Sequence, residues 1–103
     1  MRAVVFSQTA RDQLSALLAQ GLPKFGPRVV TEKRDRVFDV VDNFLAHFPG
    51  AKQPHSNLGL VVYSISRTPF AVLYDYDENI LRVHFIIHAH ADLRALDPNT
   101  VVW

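Results

Sequence analysis

The chain has 103 residues, 49% hydrophobic and 20% charged, which is typical of one globular domain and excludes a disordered protein. It has no cysteine, which excludes disulfides, thiolate metal sites and a cysteine nucleophile. Apolar runs are all shorter than the ~20 residues of a membrane span, and the N-terminus lacks a signal-peptide pattern. We therefore expect a cytoplasmic protein with no membrane partner.

The net charge of +1 is unevenly distributed along the chain. Residues 1–54 carry eight Lys and Arg against five Asp and Glu, whereas residues 55–103 carry three against five. Positive surface is therefore expected on the first half, and the overall balance is not that of a typical nucleic-acid binder.

The first half predicts one strand and two helices. Residues 3–6 form an apolar run typical of a strand, and Ser7 follows as a candidate N-cap. The next helix is expected to end at Gly21 and Pro23, and a second helix to run from near Pro27 to about His47. Helical spacing places the apolar stripes at Ala10, Leu14, Leu17 and Leu18, and at Val30, Val37, Val41, Phe44 and Phe48, with Phe38 and Leu45 widening the second stripe.

The second half predicts three strands at residues 60–66, 70–76 and 80–87, rich in β-branched and aromatic residues and joined by short turns. Such strands form an antiparallel meander. The order β-α-α-β-β-β predicts an α+β fold in which a helical hairpin packs on a small antiparallel sheet. We expect a single domain over residues 1–103. Residues 96–103 are expected to form an apolar tail that either docks on its own domain or binds a partner.

The last strand carries the most chemically informative residues. Side chains alternate across a strand, so a regular strand places Leu81, Val83, Phe85 and Ile87 toward the core. The same alternation aligns the remaining residues on an open face: Arg82, His84, Ile86, His88 and His90.

Three interpretations of these histidines remain open. His88 or His90 could act as general acid or base on an RNA phosphodiester, with Arg67 or Arg82 stabilising phosphate charge. His88 and His90 could instead ligate a metal with Asp92, although an i, i+2 pair is a weak pattern. They could also be half-exposed histidines that pack on the sheet or at an interface. The sequence has no glycine-rich phosphate loop and no nucleophile elbow. Because the metal pattern is also weak, we expect no metal and no cofactor.

Several motifs in this order resemble the RelE/ParE superfamily of bacterial type II toxins. The segments are Val5-Phe-Ser-Gln-Thr-Ala-Arg-Asp-Gln-Leu, Phe48-Pro49-Gly50, Ser64-Ile-Ser-Arg-Thr-Pro-Phe-Ala-Val-Leu-Tyr-Asp-Tyr-Asp and Ile80-Leu-Arg-Val-His-Phe-Ile-Ile-His-Ala-His-Ala-Asp-Leu. The resemblance spans about residues 4 to 96 and implies the helical hairpin on a sheet derived above. It also implies a growth-arresting toxin that forms a hetero-oligomer with a cognate antitoxin.

The resemblance leaves two targets open. ParE-like members inhibit DNA gyrase without catalysis, whereas RelE-like members cut mRNA on the ribosome without a metal. No lysine follows Lys52, and Ala89-His90-Ala91-Asp92 stands where ParE-like chains often carry Gly-Arg-Arg/Gln-Asp. We favour the gyrase inhibitor, with the endonuclease as the alternative and a non-toxic relative acting only in a complex as the second alternative.

Each hypothesis assigns its own residues. An endonuclease would use His88, His90, Arg67 and Arg82. The target-facing residues are expected to be His84, His88, His90 and Asp92. Because the apolar stripes of the helices are wide, we expect Leu14, Leu18, Phe38 and Leu45 to bind the antitoxin.

Overall fold

The computed structural model describes residues 2–50 and 58–103 and has the predicted α+β order. Its elements are strand β1 (Ala3–Phe6), helix α1 (Gln8–Asp39), a π-helical turn (Val40–Leu45), strands β2 (Val61–Ser64), β3 (Phe70–Tyr76) and β4 (Ile80–His88), and two 3₁₀ turns (Leu93–Ala95 and Pro98–Thr100). The stretch between the second predicted helix and the strand predicted at residues 60–66 lies mostly outside the described residues. None of the described helices is both long and apolar enough to cross a membrane.

The four strands form one sheet in the order β1-β4-β3-β2. Strands β2, β3 and β4 pair antiparallel, as the predicted meander requires, whereas β1 pairs parallel with β4. A parallel pair needs a long crossover connection, and α1 begins that crossover and packs across one side of the sheet, which we call the helix face. The core lies between them and contains Ala10, Leu14, Val37, Val40, Val41, Leu45, Val61, Ile65, Phe70, Val72, Tyr74, Leu81, Val83 and Ile86.

Helix α1 consists of two arms that meet at Gly26, where φ is 80° and ψ is 168°. The expected helix end at Gly21 and Pro23 is therefore wrong by several residues. A residue before proline is disfavoured in the α conformation, and Gly26, which precedes Pro27, can adopt the positive φ that breaks the helix, whereas Leu22, which precedes Pro23, stays helical. Pro27 then starts the second arm, because proline is tolerated in the first turn of a helix.

The two helix glycines are expected to respond oppositely to alanine. Gly26→Ala is expected to lower the free energy of unfolding by about 1–3 kcal/mol, because its backbone conformation is essentially restricted to glycine. Gly21→Ala should raise it by about 0.5–1 kcal/mol, because a Cβ there meets Phe25 and Val30 only at ordinary contact distances of 3.6 and 3.7 Å. Urea denaturation measures both, and equal effects would contradict the assignment of the kink.

The π-helical turn changes which residues of the second apolar stripe face the core. The Ala46 N–H donates to the Val41 carbonyl at 3.1 Å, an i→i+5 bond that rotates the following side chains relative to α-helical spacing. Leu45 is consequently buried, whereas Phe44 and Phe48 are 37% and 60% exposed. The expected inward stripe thus holds at Val37 and Val41 but not at these two phenylalanines.

The other side of the sheet is covered by the C-terminal segment, residues 93–103, and we call it the tail face. Leu93, Leu96 and Val101 pack against a second apolar cluster made of Leu60, Ala71, Leu73, Phe85 and Ile87. The Val102 carbonyl accepts hydrogen bonds from the N–H groups of Gln8 and Thr9 at 2.7 and 3.2 Å. Of the two alternatives for the tail, the structure shows docking on its own domain.

Candidate functional site

A β-bulge at His84 divides the residues that regular alternation would align. Leu73 pairs with Phe85 and Tyr74 with Val83, so His84 is an extra residue in β4. The start of α1 holds this bulge, because the Ser7 hydroxyl donates to the His84 carbonyl at 2.7 Å and the Ser7 N–H donates to the Val83 carbonyl at 2.9 Å. The Ser7 hydroxyl also accepts from the Ala10 N–H, which is its predicted N-cap bond.

The bulge reverses the alternation along the rest of β4. Leu81 and Val83 pack in the helix-face core, but beyond the bulge it is Ile86 that does so, while Phe85 and Ile87 pack on the tail face. The expectation that Arg82, His84, Ile86, His88 and His90 share one open face is therefore wrong. Arg82 and His84 lie toward the tail face, whereas His88 borders a cavity on the helix face.

Arg82 and His84 belong to a group on the tail face that we call the Asp75 cluster, which also contains Asp75 and Trp103. Arg82 Nε lies 2.8 Å from Asp75 Oδ1, and its guanidinium also approaches Asp77 at 3.8 Å. The hydrogen bond and charge of Asp75 raise the pKa of Arg82. Its positive charge is therefore already engaged by carboxylates of the same chain.

The imidazole of His84 is enclosed within this cluster. Its Nε2 lies 3.3 Å from the same Asp75 oxygen, and Trp103 packs edge-on against the ring at 4.8 Å between centroids. Neither ring nitrogen is exposed, and neither makes a hydrogen bond within the described part of the chain. A carboxylate beside an imidazole is the arrangement of a general base, but in this structure neither ring nitrogen is open to a substrate.

A second group lies where β4 ends beside the β2–β3 turn, and we call it the strand-end cluster: Lys33, Arg67, His88 and His90. The rings of His88 and His90 lie 5.5 Å apart between centroids, and the His90 N–H donates to His88 Nδ1 at 3.2 Å. Both histidines are exposed. Lys33 reaches the same end of the sheet, where its ammonium donates to the Arg67 carbonyl at 3.3 Å.

Arg67 has an unusual backbone conformation, with φ at 67° in a region that non-glycine residues rarely adopt. The turn is fixed by Thr68, whose hydroxyl donates to the Ile65 carbonyl at 2.9 Å, and by Arg36, which donates to Ser66 Oγ at 2.8 Å. The structure thus brings Arg67 to the same end of the sheet as His88 and His90, and places Arg82 in the other cluster.

Asp92 caps the first 3₁₀ turn and does not face the histidines as a ligand. Its carboxylate accepts from Arg94 Nε at 3.1 Å and from the Arg94 N–H at 2.9 Å, and these bonds lower the pKa of Asp92. Within residues 2–50 and 58–103, no three His, Asp or Glu side chains are placed to hold a metal ion. The ligand set of His88, His90 and Asp92 is therefore not assembled in this structure.

The four residues expected to bind an antitoxin differ in their accessibility. Leu14 and Leu45 are buried core residues, so a partner docked on this fold does not reach them, and their assignment is corrected to core packing. Leu18 and Phe38 are half-buried and pack at the margin of the core, where Phe38 contacts Phe6 edge-on at 5.3 Å between ring centroids.

Sequence reasoning did not predict the exposure of three aromatic residues, two of which it had placed in the inward stripe. Phe25 lies next to the kink and is 57% exposed, while Phe44 and Phe48 contact each other beside the edge strand β2. Phe44 also approaches Tyr63 of that strand at 5.9 Å between ring centroids. Helical spacing alone could not have found these residues, because the kink and the π-helical turn both interrupt it.

Sequence comparison gives no match to a protein-family model or to a curated protein. Fold comparison does find similar solved structures. A chain of the chromosomal ParDE TA system from P. aeruginosa matches with a TM-score of 0.69 and 15% identity, covering 85% of this chain and 96% of that chain. A chain of the toxin-antitoxin complex RelBE2 from Mycobacterium tuberculosis matches with a TM-score of 0.58 and 20% identity. The match covers 84% of this chain and 96% of that chain. The protein therefore has the RelE/ParE toxin-like fold that its motifs indicated.

Proposed function

We propose that this protein is the toxin of a type II toxin–antitoxin module and is neutralised by a cognate antitoxin. The observation that carries the proposal is the fold likeness, which spans 96% of a chain from each of two toxin–antitoxin assemblies. Expression of the full chain without an antitoxin should arrest growth, and co-expression of the cognate antitoxin should restore it. Unimpaired growth at verified expression would contradict the proposal.

Within this proposal, the favoured target is DNA gyrase, bound without catalysis as in ParE-like toxins. The higher TM-score of the ParDE chain supports it. The site geometry supports it as well, because Arg82 is paired with Asp75 and His84 is enclosed by Trp103. The charge of Arg82 is thus already paired, both ring nitrogens of His84 are buried, and the second half of the chain is net acidic, so these residues do not favour an RNA phosphate.

The gyrase proposal is tested with the purified full chain in a supercoiling and DNA-cleavage assay. We expect loss of supercoiling by gyrase and no effect on relaxation by a type I topoisomerase, which serves as the matched control. Unchanged supercoiling and cleavage at saturating protein would exclude gyrase as the target, while the growth experiment would still decide whether the chain is a toxin.

The strand-end cluster supports one alternative function, a ribosome-dependent mRNA endonuclease. Exposed His88 and His90 could transfer protons there, and Lys33 and Arg67 could stabilise phosphate charge. Mapping RNA 5′ ends within minutes of induction tests it, since an endonuclease leaves new in-frame cuts in translated messages. His88→Ala with His90→Ala should abolish those cuts, and His47→Ala, an exposed histidine outside the cluster, should not. Intact messages during growth arrest would exclude this alternative.

Antitoxin binding is expected to depend on the half-buried apolar margin of α1. Leu18→Asp and Phe38→Asp should each weaken binding by about 30-fold or more, because a buried charge at a contact costs at least ~2 kcal/mol. Ala19→Asp, at an exposed position on the same helix, is the control and should bind normally. Isothermal titration calorimetry measures affinity and circular dichroism verifies folding. Normal affinity of folded Leu18→Asp and Phe38→Asp variants would refute this surface.

A further inference from the structure

The kink of α1 creates a cavity of about 280 Å³ between the two helix arms and the ends of β3 and β4. Its inner wall is apolar and is formed by Leu17 and Leu18 of the first arm, Val30 of the second arm and Phe70 of β3. Phe25 stands at the margin and is 57% exposed. The cavity can therefore bury an apolar group of a ligand, and the ring of Phe25 can stack on it.

The rim of this cavity is cationic. Its charge comes from Lys24 and Lys33, His88 lies beside them, and none of the described residues that line the cavity is acidic. Neither lysine pairs with a carboxylate in the described part of the chain. The nearby carboxylate of Glu32 is paired with Arg28 instead. The ammonium of Lys33 is held in place by its bond to the Arg67 carbonyl. Two uncompensated cations beside an apolar wall are complementary to an anion that carries an apolar group.

We propose that this cavity binds a small organic anion, with one ring or short chain in the apolar pocket and a carboxylate or phosphate at Lys24 and Lys33. Ligand pockets typically measure roughly 300–1,000 Å³, so a cavity of about 280 Å³, just below that range, selects a ligand with a single ring. The cavity shares Leu18 with the proposed antitoxin surface and Lys33 and His88 with the strand-end cluster. Its test does not depend on the proposed toxin activity, because it measures ligand binding to the chain alone.

The proposal is tested by nuclear magnetic resonance on the ¹⁵N-labelled full chain with three probes. Phenyl phosphate carries both the ring and the charge, benzyl alcohol carries the ring only, and inorganic phosphate carries the charge only. We expect saturable amide shifts around Gly21, Val30 and His88 with phenyl phosphate, and much weaker ones with either partial probe. Shifts with inorganic phosphate as large as those with phenyl phosphate would mean that the site binds only a surface ion, which would overturn the proposal.

Variants separate the contribution of the wall from that of the rim. Gly21→Leu projects a side chain toward Phe25 and Val30 and should abolish the shifts by filling the cavity. Lys24→Gln with Lys33→Gln leaves the wall intact and should raise the Kd for phenyl phosphate about fivefold. Arg28→Gln, an exposed cation outside the cavity, is the control and should bind like the parent. Unchanged affinity in the double lysine variant would overturn the assigned orientation of the anion.

Discussion

Leu96→Asp is expected to undock the C-terminal segment and lower the free energy of unfolding by about 2–3 kcal/mol. Leu96 packs with Leu93 and Val101 over the buried cluster that contains Phe85. The substitution removes apolar contact area and places a charge against an apolar surface. Only a few side chains and the bonds of Val102 to the start of α1 hold this segment. We therefore expect it to detach before the whole domain unfolds.

The chain's single tryptophan reports this event directly. Trp103 packs against His84, so undocking should shift its fluorescence to that of a fully hydrated indole before global unfolding. Ala95→Asp, at an exposed position in the same segment, should leave both fluorescence and stability unchanged. A Leu96→Asp variant with parental emission and stability would show that the segment contributes nothing to the tail face.

The same variant separates the two candidate clusters in function. Movement of Trp103 should expose the ring of His84, which lies beside Asp75, and leave the contacts of the strand-end cluster unchanged. RNA cleavage that appears only in Leu96→Asp would therefore assign chemistry to the Asp75 cluster. Cleavage that is equal in parent and variant would assign it to His88 and His90.

Local patterns predicted most of the sheet and the start of the helix. β3 occupies the predicted residues 70–76, because its run of β-branched and aromatic residues has clear turn residues on both sides. Ser7 caps α1 as predicted, since that bond depends only on residues within one turn. The helix break was predicted at the wrong glycine, because Gly21 tolerates the helix and only Gly26 is followed directly by proline.

The arrangement of the site could not be predicted from alternation, because non-local contacts determine it. The bulge at His84 depends on Ser7, and the Ile86 N–H beyond it donates to Gln13 Oε1 at 2.9 Å. Both partners lie more than 70 residues away in sequence. An isolated reading of β4 therefore predicts a single histidine face, while the folded chain separates His84 from His88 onto opposite sides of the sheet.

Tyr74→Ala is expected to destabilise the protein by about 3–5 kcal/mol, as truncation of a buried aromatic residue does. Tyr74 is fully buried in the helix-face core, and its hydroxyl donates to the carbonyl of Pro49, which is also buried. Tyr74→Phe keeps the ring and should cost about 1–3 kcal/mol, because that carbonyl loses its partner in a place that water does not reach. Tyr76→Phe, at a partly exposed position, is the control and should change stability little.

The pH dependence of stability identifies the role of the same hydroxyl. Burial raises the pKa of Tyr74 well above its usual value, with smaller contributions from Tyr76 and Tyr63. Because the folded state holds this proton more tightly than the unfolded state, its stabilising contribution is complete below the unfolded pKa and is lost as the pH rises above about 10. Urea denaturation at pH 8 to 11 should therefore show a steeper alkaline loss in the parent and in Tyr76→Phe than in Tyr74→Phe. Equal slopes in all three proteins would mean that the Tyr74 hydroxyl is reached by solvent, and the bond to Pro49 would then not anchor the turn after the π-helical segment to the sheet.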